Sequence, residues 1–287
     1  MTAWGLGNVI IAALPMNGLA IAFHRLWAGT VVYVVALRAL RGRWPTRRAL
    51  RLGWQGGVAF GMNVSTFFVA IHLTSVASAV TISALQPIAI LGFAAAVFGE
   101  RVRLRHLGAT VVAVGGVALV TFGAGDVSGG DRVGDLVAVL ALLSWAAYFI
   151  ASKRARRHLD TLEYMTVLNL VAFLVVAPVA IVAGALSGPA GRPDAARALV
   201  ILCIVLVPGS GHVLMNWAHA HVTLVLASLI TLAMPVISTA AAAAFLDQPV
   251  AALQVVGIVV VLVALAVVII GDAREGGEGA AATEPAP

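Results

Sequence analysis

The stretch from Thr74 to Leu104, TSVASAVTISALQPIAILGFAAAVFGERVRL, constrains this chain more than any other. Its apolar run is long enough to cross a hydrocarbon core of ~30 Å at ~1.5 Å per residue. A helix satisfies every backbone group there without outside help. Gln86 and Pro87 interrupt the run near its middle, and Glu100 closes it beside Arg101 and Arg103. A second copy runs from Val222 to Pro249, VTLVLASLITLAMPVISTAAAAAFLDQP. In it Pro235 falls on Pro87, Met234 on Gln86, Thr231 on Ser83 and Gln248 on Glu100. The chain reads as two halves, each organised around one proline-broken helix.

Between short charged connections lie further apolar runs of spanning length, and the composition agrees. Hydrophobic residues make up 61% of the chain and charged ones 10%, against about 25% charged in soluble domains. The fold class expected is therefore an all-α polytopic membrane protein. Alternating segments of ~10 residues, the mark of a membrane barrel, do not occur. The single cysteine, Cys203, excludes an internal disulfide framework, and no Cys/His cluster has zinc spacing. A pI near 10.7 invites a nucleic-acid reading. The basic residues, however, sit in short loops beside the spans, where positive charge sets orientation. No nucleic-acid partner is expected; the partners are the lipid bilayer and a small-molecule substrate, with a monomer as the expected state. The preponderance of Arg over Lys, with abundant Ala, Val and Gly, suggests a bacterial protein of the cytoplasmic (inner) membrane.

Taken in order, ten spans are expected. The first, Met1 to Leu14, is short for a span of ~20 residues; either that helix is short or the start lies upstream. The second covers about Leu19 to Leu37, with His24 and Arg25 near its start. The third covers about Leu52 to Leu73, with Gly53, Gly57 and Gly61 forming a stripe that admits a close neighbour. The fourth is the opening stretch, and the fifth runs from about His106 to Phe122. A polar glycine-rich loop follows. The sixth to tenth run over about Val133 to Ala151, Leu162 to Ala183, Ala198 to Trp217, Thr223 to Phe245 and Ala251 to Ile270. The boundaries are 1–124 for the first half, 125–132 for a periplasmic linker, 133–271 for the second half and 272–287 for a disordered cytoplasmic tail.

Placing the N-terminus inside puts the arginines from Arg38 to Arg51, Arg101 to Arg105, Lys153 to Arg157 and Arg274 on the cytoplasmic side. Only Arg25, Arg132, Arg192 and Arg197 remain outside. Both termini are then cytoplasmic. Five helices per half is an odd number, so the second half enters the membrane from the opposite side. An inverted repeat of this kind places a substrate site near the midplane, at the discontinuous helices.

Trp4-Gly5, Arg25, FFVAIHLTSVASAVTISALQPIAILGFAAAVFGERV and LGATVVAVGGVALV in the first half carry a further signal. Ser144-Trp145, NWAHAHVTLVLASLITLAMPVISTAAAAAFLDQP and LQVVGIVVVLVAL repeat it in the second. With these residues the chain resembles the EamA-type transporters of the drug/metabolite transporter superfamily over essentially its whole length. The resemblance implies ten helices, in two five-helix repeats around a central cavity, and movement of metabolites, amino acids or drugs, commonly outward. Two departures stand out: the short first span, and Gln248 after Asp247 where the family usually has Glu.

The substrate-binding candidates are Asn8, Asn63, Gln86, Pro87, Trp145, Tyr148, His212, Asn216, Met234 and Pro235. The prolines each remove one helical hydrogen bond and free a carbonyl about a turn earlier, or are simply packing kinks. Asn8, Asn63, Asn169 and Asn216 are costly in a span unless paired; they line a wet cavity or bond neighbouring helices. Trp145 and Tyr148 share a face of the sixth helix. His72 and His212 are candidates for carrying a coupling proton. Arg25 either snorkels outward or meets a substrate carboxylate, and Glu100 serves as an ion pair, a cap or a gate. His219 and His221, in a short inner loop, are expected to be solvated.

No Asp or Glu lies near the middle of a span. A cation–proton antiporter uses such a carboxylate, so a neutral or zwitterionic metabolite such as an amino acid is the expected substrate, with export as the direction. The alternatives are multidrug or cation efflux, a membrane scaffold without transport, and an intramembrane serine hydrolase using Ser210 and His212. The last two residues point to different faces of one helix. No catalytic residue, metal site or cofactor is assigned.

Overall fold

The computed structural model describes residues 2–74, 79, 82–100, 102–123, 132–245 and 250–281, and every regular element among them is helical. In chain order these are α1 (Thr2–Ala13), α2 (Gly18–Arg41), α3 (Arg47–Leu73), α4 (Gln86–Phe98), α5 (Leu104–Gly123) and α6 (Arg132–Arg156). There follow α7 (Thr161–Val182), a single turn at Gly188–Gly191, α8 (Ala195–Ala218), α9 (Leu224–Ile230), α10 (Ala233–Phe245) and α11 (Ala252–Ala281). Seven described helices are long and apolar enough to cross a membrane, and Gln86–Phe98 and Leu224–Ile237 are shorter apolar helices. Seven of the ten spans expected appear as helices of spanning length; at the first, fourth and ninth the described helices are shorter than a span.

Local chemistry sets the helix ends. Asn17, Thr46, Asp160, Asp194 and Thr223 sit at N-caps, and each side chain accepts a backbone N–H of the first turn. Gly42 and Gly99 end α2 and α4 at φ 66° and 63°, a left-handed conformation that glycine adopts without a Cβ clash. The loop after α2 is fastened by Arg43, which donates to both carboxylate oxygens of Glu163 at 2.8 and 2.9 Å. The hydrogen bonds to Glu163 raise the pKa of Arg43 above its usual value.

The glycine stripe of α3 faces α7, as its spacing implies. Gly57 lies against Val171 and the Leu168 carbonyl, and Gly61 against the Ala172 backbone. A second close approach joins α5 to α11 through Gly116 and Gly257. At the C-terminal end of α3, Thr74 Oγ1 donates to Asp135 (2.9 Å), and Gly134 lies against the backbone at Leu73 and Thr74.

Two expectations are corrected. α11 continues to Ala281, into the segment 272–287 expected to be disordered. A helix already nucleated in the membrane extends at the cost of fixing one residue per added hydrogen bond. The proline breaks also lie ahead of the prolines. α9 stops at Ile230 and α10 starts at Ala233. Between them Thr231 N donates to Ser228 O (3.1 Å), Leu232 N to Leu229 O (3.0 Å) and Met234 N to Thr231 O (2.9 Å). Pro87 likewise sits in the first turn of α4, where its missing N–H has no helical partner to lose. The Thr231 carbonyl, expected to be free, is therefore occupied by Met234.

Candidate functional site

Where α1, α2, α3, α6, α8 and α10 converge, they leave a cavity of ≈ 70 Å³, room for several water molecules at about 10–15 Å³ each. Its wall is largely aromatic and aliphatic: Trp4, Ile11, Phe67, Phe68, Trp145 and Met234. Its polar members are Arg25, Asn63 and His212. Among the described residues no acidic side chain lines it.

Three wall residues, Trp4, Asn63 and His212, are held from behind. Trp4 Nε1 donates to the Pro208 carbonyl (3.0 Å), and its ring lies 4.7 Å from His212 and 6.1 Å from Trp145. Trp4 thus brings the first helix against the eighth, and Gly7 and Gly211 provide the space. Asn63 Nδ2 donates to the Ala141 carbonyl (3.0 Å), tying α3 to α6. His212 packs against Phe60 at 4.9 Å, with Nδ1 3.5 Å from the Tyr148 hydroxyl.

Beneath His212 a polar layer closes the cavity toward the end that carries the basic loops. Asn216 Nδ2 donates to Tyr148 Oη (2.6 Å) and to the His212 carbonyl (2.9 Å), with Met165 Sδ 3.4 Å away. Ser152 and Tyr164 share a hydrogen bond of 2.8 Å one turn further along α6. Asn216 and Tyr148 are fully buried and absent from the cavity wall, so they serve as its floor.

The broken helices meet beside this floor. Thr231 Oγ1, whose proton is shared with the Ser228 carbonyl (2.6 Å), stands 3.2 Å from Gln86 Oε1 across the two halves. Gln86 is fully buried with its Nε2 unpartnered, an arrangement that costs free energy unless a ligand or water supplies the acceptor. A smaller void of ≈ 10 Å³ lies between Ser83, Ala84, Trp145, Thr231, Met234 and Pro235, so Trp145 and Met234 face both spaces.

The sequence candidates therefore divide. Asn63, Trp145, His212 and Met234 line the main cavity, and Pro235 lines the smaller one. Gln86, Tyr148 and Asn216 stand behind these walls, and Pro87 is buried away from both. The side chain of Asn8 lies outside the described ones, as do Asp247 and Gln248. His72 is exposed near the end of α3, its Nδ1 2.7 Å from the Phe68 carbonyl, and lines neither cavity. Ser210 is exposed and donates to Val207 O (2.7 Å), turned away from His212.

Two side chains, Arg25 and His219, behave unlike their expected default, and a third, Glu100, takes two of the roles expected for it. Arg25 is 6% exposed and lines the cavity instead of snorkelling. His219 is buried 4.7 Å from the Phe149 ring with neither nitrogen partnered. Burial, with Lys153 and Arg156 nearby, pushes its pKa down to about 3, so it is neutral at pH 7. Glu100 accepts from Leu224 N (2.8 Å) and Val225 N (3.2 Å) and pairs with Lys153 Nζ at 2.7 Å. It is both ion pair and cap, across the two halves.

The architecture defines a multi-pass membrane protein with a cavity among its helices and discontinuous helices beside it, the arrangement of solute carriers. The EamA-like transporter family matches residues 1–122 and 132–270, and the chain belongs to that family, within the drug/metabolite transporter superfamily. The fold is similar to a solved crystal structure that is 21% identical, with a TM-score of 0.76 over 95% of this chain and 93% of that one. At that identity the likeness concerns the fold alone. No curated protein matches the chain.

The prolines provide a direct test of the broken helices. Pro87→Ala and Pro235→Ala should insert and fold as the parent does. Each should lower flux by about tenfold, because closing the break shifts the groups it positions. Unchanged flux in both variants would make the prolines packing features.

Proposed function

We propose that the protein carries a small neutral or zwitterionic metabolite, such as an amino acid, outward across the bacterial inner membrane by alternating access. The reading rests chiefly on the Thr231–Gln86 contact, which places the interruptions of both halves together beside the cavity. Inverted repeats that rock about such a point expose it to each side in turn. Ten spans, two inverted five-helix repeats and cytoplasmic termini complete the proposal, supported by the basic loops gathered at one end. The absence of an acidic side chain from the described cavity wall speaks against exchange of organic cations for protons. With His72 outside the cavity, His212 alone remains as a proton carrier, and transport is mainly facilitative.

Reconstitution in liposomes tests this. Counterflow of radiolabelled amino acids should exceed that of empty vesicles and change little when a pH gradient is imposed. Cysteines at Ser128→Cys and Ala281→Cys should react with an impermeant reagent from opposite sides. No flux of any amino acid, or labelling of both cysteines from one side, would defeat the proposal.

A further inference from the structure

Arg25 is the least explained charge in the molecule. It lies about 10 Å along α2 from Gly18 at ~1.5 Å per residue, and its route to the outer surface is covered. Gly18 lies against the Phe68 and Val69 backbone, and Asn17 N donates to Ala190 O (2.8 Å). The guanidinium stands 5.4 Å from the Phe60 ring and 5.7 Å from that of Phe68. It lines the main cavity and also a smaller one with Gly29, Tyr33, Asn169 and His212. Its Nη1 is buried without a partner, and among the described residues no carboxylate pairs with it. Ring faces soften the burial of a guanidinium, yet they do not replace the hydrogen bonds that a buried charge needs.

We propose that Arg25 is the anchor for one carboxylate of a small organic acid, whose apolar body lies between Trp4, Trp145 and Met234. The counter-charge missing from the protein arrives with the ligand. The guanidinium fork matches a carboxylate in geometry, and a single cation in an apolar chamber neutralises one negative charge. No acidic side chain waits for an ammonium group, so an amine on the ligand is tolerated beside the indole faces and not required. A basic compound without a carboxylate meets an uncompensated Arg25 and is excluded. The inference rests on the transport reading and narrows it: what is recognised in an amino acid is the acid.

The test uses purified full-length protein in detergent, with binding followed by calorimetry and tryptophan fluorescence. The probes are isovalerate, 3-phenylpropionate, L-phenylalanine and phenethylamine. The three acids should bind, and the amine should not. Arg25→Gln should weaken acid binding by at least about 30-fold, as when one partner of a buried charge pair is removed, and Arg25→Lys should fall between. Gel filtration of both variants checks that they remain folded, and Arg25→Lys keeps the test valid should Arg25→Gln not fold. Binding of phenethylamine as tight as that of 3-phenylpropionate would overturn the proposal. So would acid affinity unchanged in the folded Arg25 variants, or no binding of any acid to the parent protein at 10 mM, about the weakest range worth reading. Because binding is read without a gradient, acids that bind without flux would sink the transport reading and leave this site standing.

Discussion

Glu100→Ala should be among the most destabilising single substitutions in this protein, lowering unfolding stability in detergent by about 3–5 kcal/mol, the usual cost of removing one partner from a buried ion pair. The Glu100 and Lys153 side chains are 9% and 11% exposed, and their charged atoms stand 2.7 Å apart. Glu100 also accepts from Leu224 N and Val225 N at the start of α9, where the helix dipole favours a negative charge. Its loss removes the counter-charge of an ammonium that then keeps only the Val222 carbonyl (2.8 Å) as acceptor, and with it the acceptor of two backbone N–H groups at the helix start. Lys153→Met should cost less, because the carboxylate keeps its backbone donors. Adding Glu100→Gln to Lys153→Met should be milder than Glu100→Ala alone, since no charge is then left unpaired. Unfolding midpoints of the four proteins decide the matter. Equal losses for Glu100→Ala and Lys153→Met would show that the cap contributes nothing. The same contact joins the end of α4 to the start of α9 at the basic end, below the floor of the cavity. Weakening it should raise the reactivity of cysteines placed on that side of His212.

The second large effect is expected at the α5–α11 crossing. A Cβ on Gly257 would stand 2.5 Å from the Gly116 carbonyl oxygen and 2.7 Å from Val120 N, and one on Gly116 2.9 Å from the Gly257 carbonyl oxygen. These are backbone atoms, which cannot rotate away, so the helices must separate. Gly257→Ala and Gly116→Ala should each cost about 1–3 kcal/mol, the range for overpacking a close contact. Gly108 and Gly115, on the same α5, meet nothing within 4 Å. Alanine there should be neutral or stabilising by up to about 1 kcal/mol, because it suits a helix better than glycine. Melting curves of the four variants make the comparison, and a Gly257→Ala protein as stable as Gly115→Ala would refute the packing argument.

Much of the bundle is legible in the sequence because a bilayer leaves few choices. A segment such as Thr161–Val182 cannot leave backbone groups unpaired in hydrocarbon, so its length and apolarity suffice to make it a helix. The Gly53, Gly57 and Gly61 stripe likewise announces a close partner, since three small residues on one face serve little else. Trp145, Asn63, His212 and Met234, which line the cavity, are legible in the sequence as candidates through their polarity or their correspondence between halves. In the sequence Trp4 stands out only through its correspondence with Trp145; its indole bond to the Pro208 carbonyl gives it a place in the wall.

What a single helix cannot state is which of its faces meets which neighbour. Arg25 read alone is as suited to snorkelling as to burial; its direction is decided by Phe60 and Phe68 on α3 and by the covered N-terminal end of α2. His219 follows the last turn of α8 and reads as a loop residue, yet Phe149 encloses it. Asn63 and Asn216 look equivalent in sequence, but packing turns one into the cavity and buries the other beneath it. Spans, breaks and glycine stripes follow from interactions within a few residues, which the order of amino acids determines directly. The cavity, the unpaired Arg25 and the Glu100 cap arise between segments far apart along the chain. Only the tertiary packing, which settles each helix's rotation by summing many contacts at once, decided them.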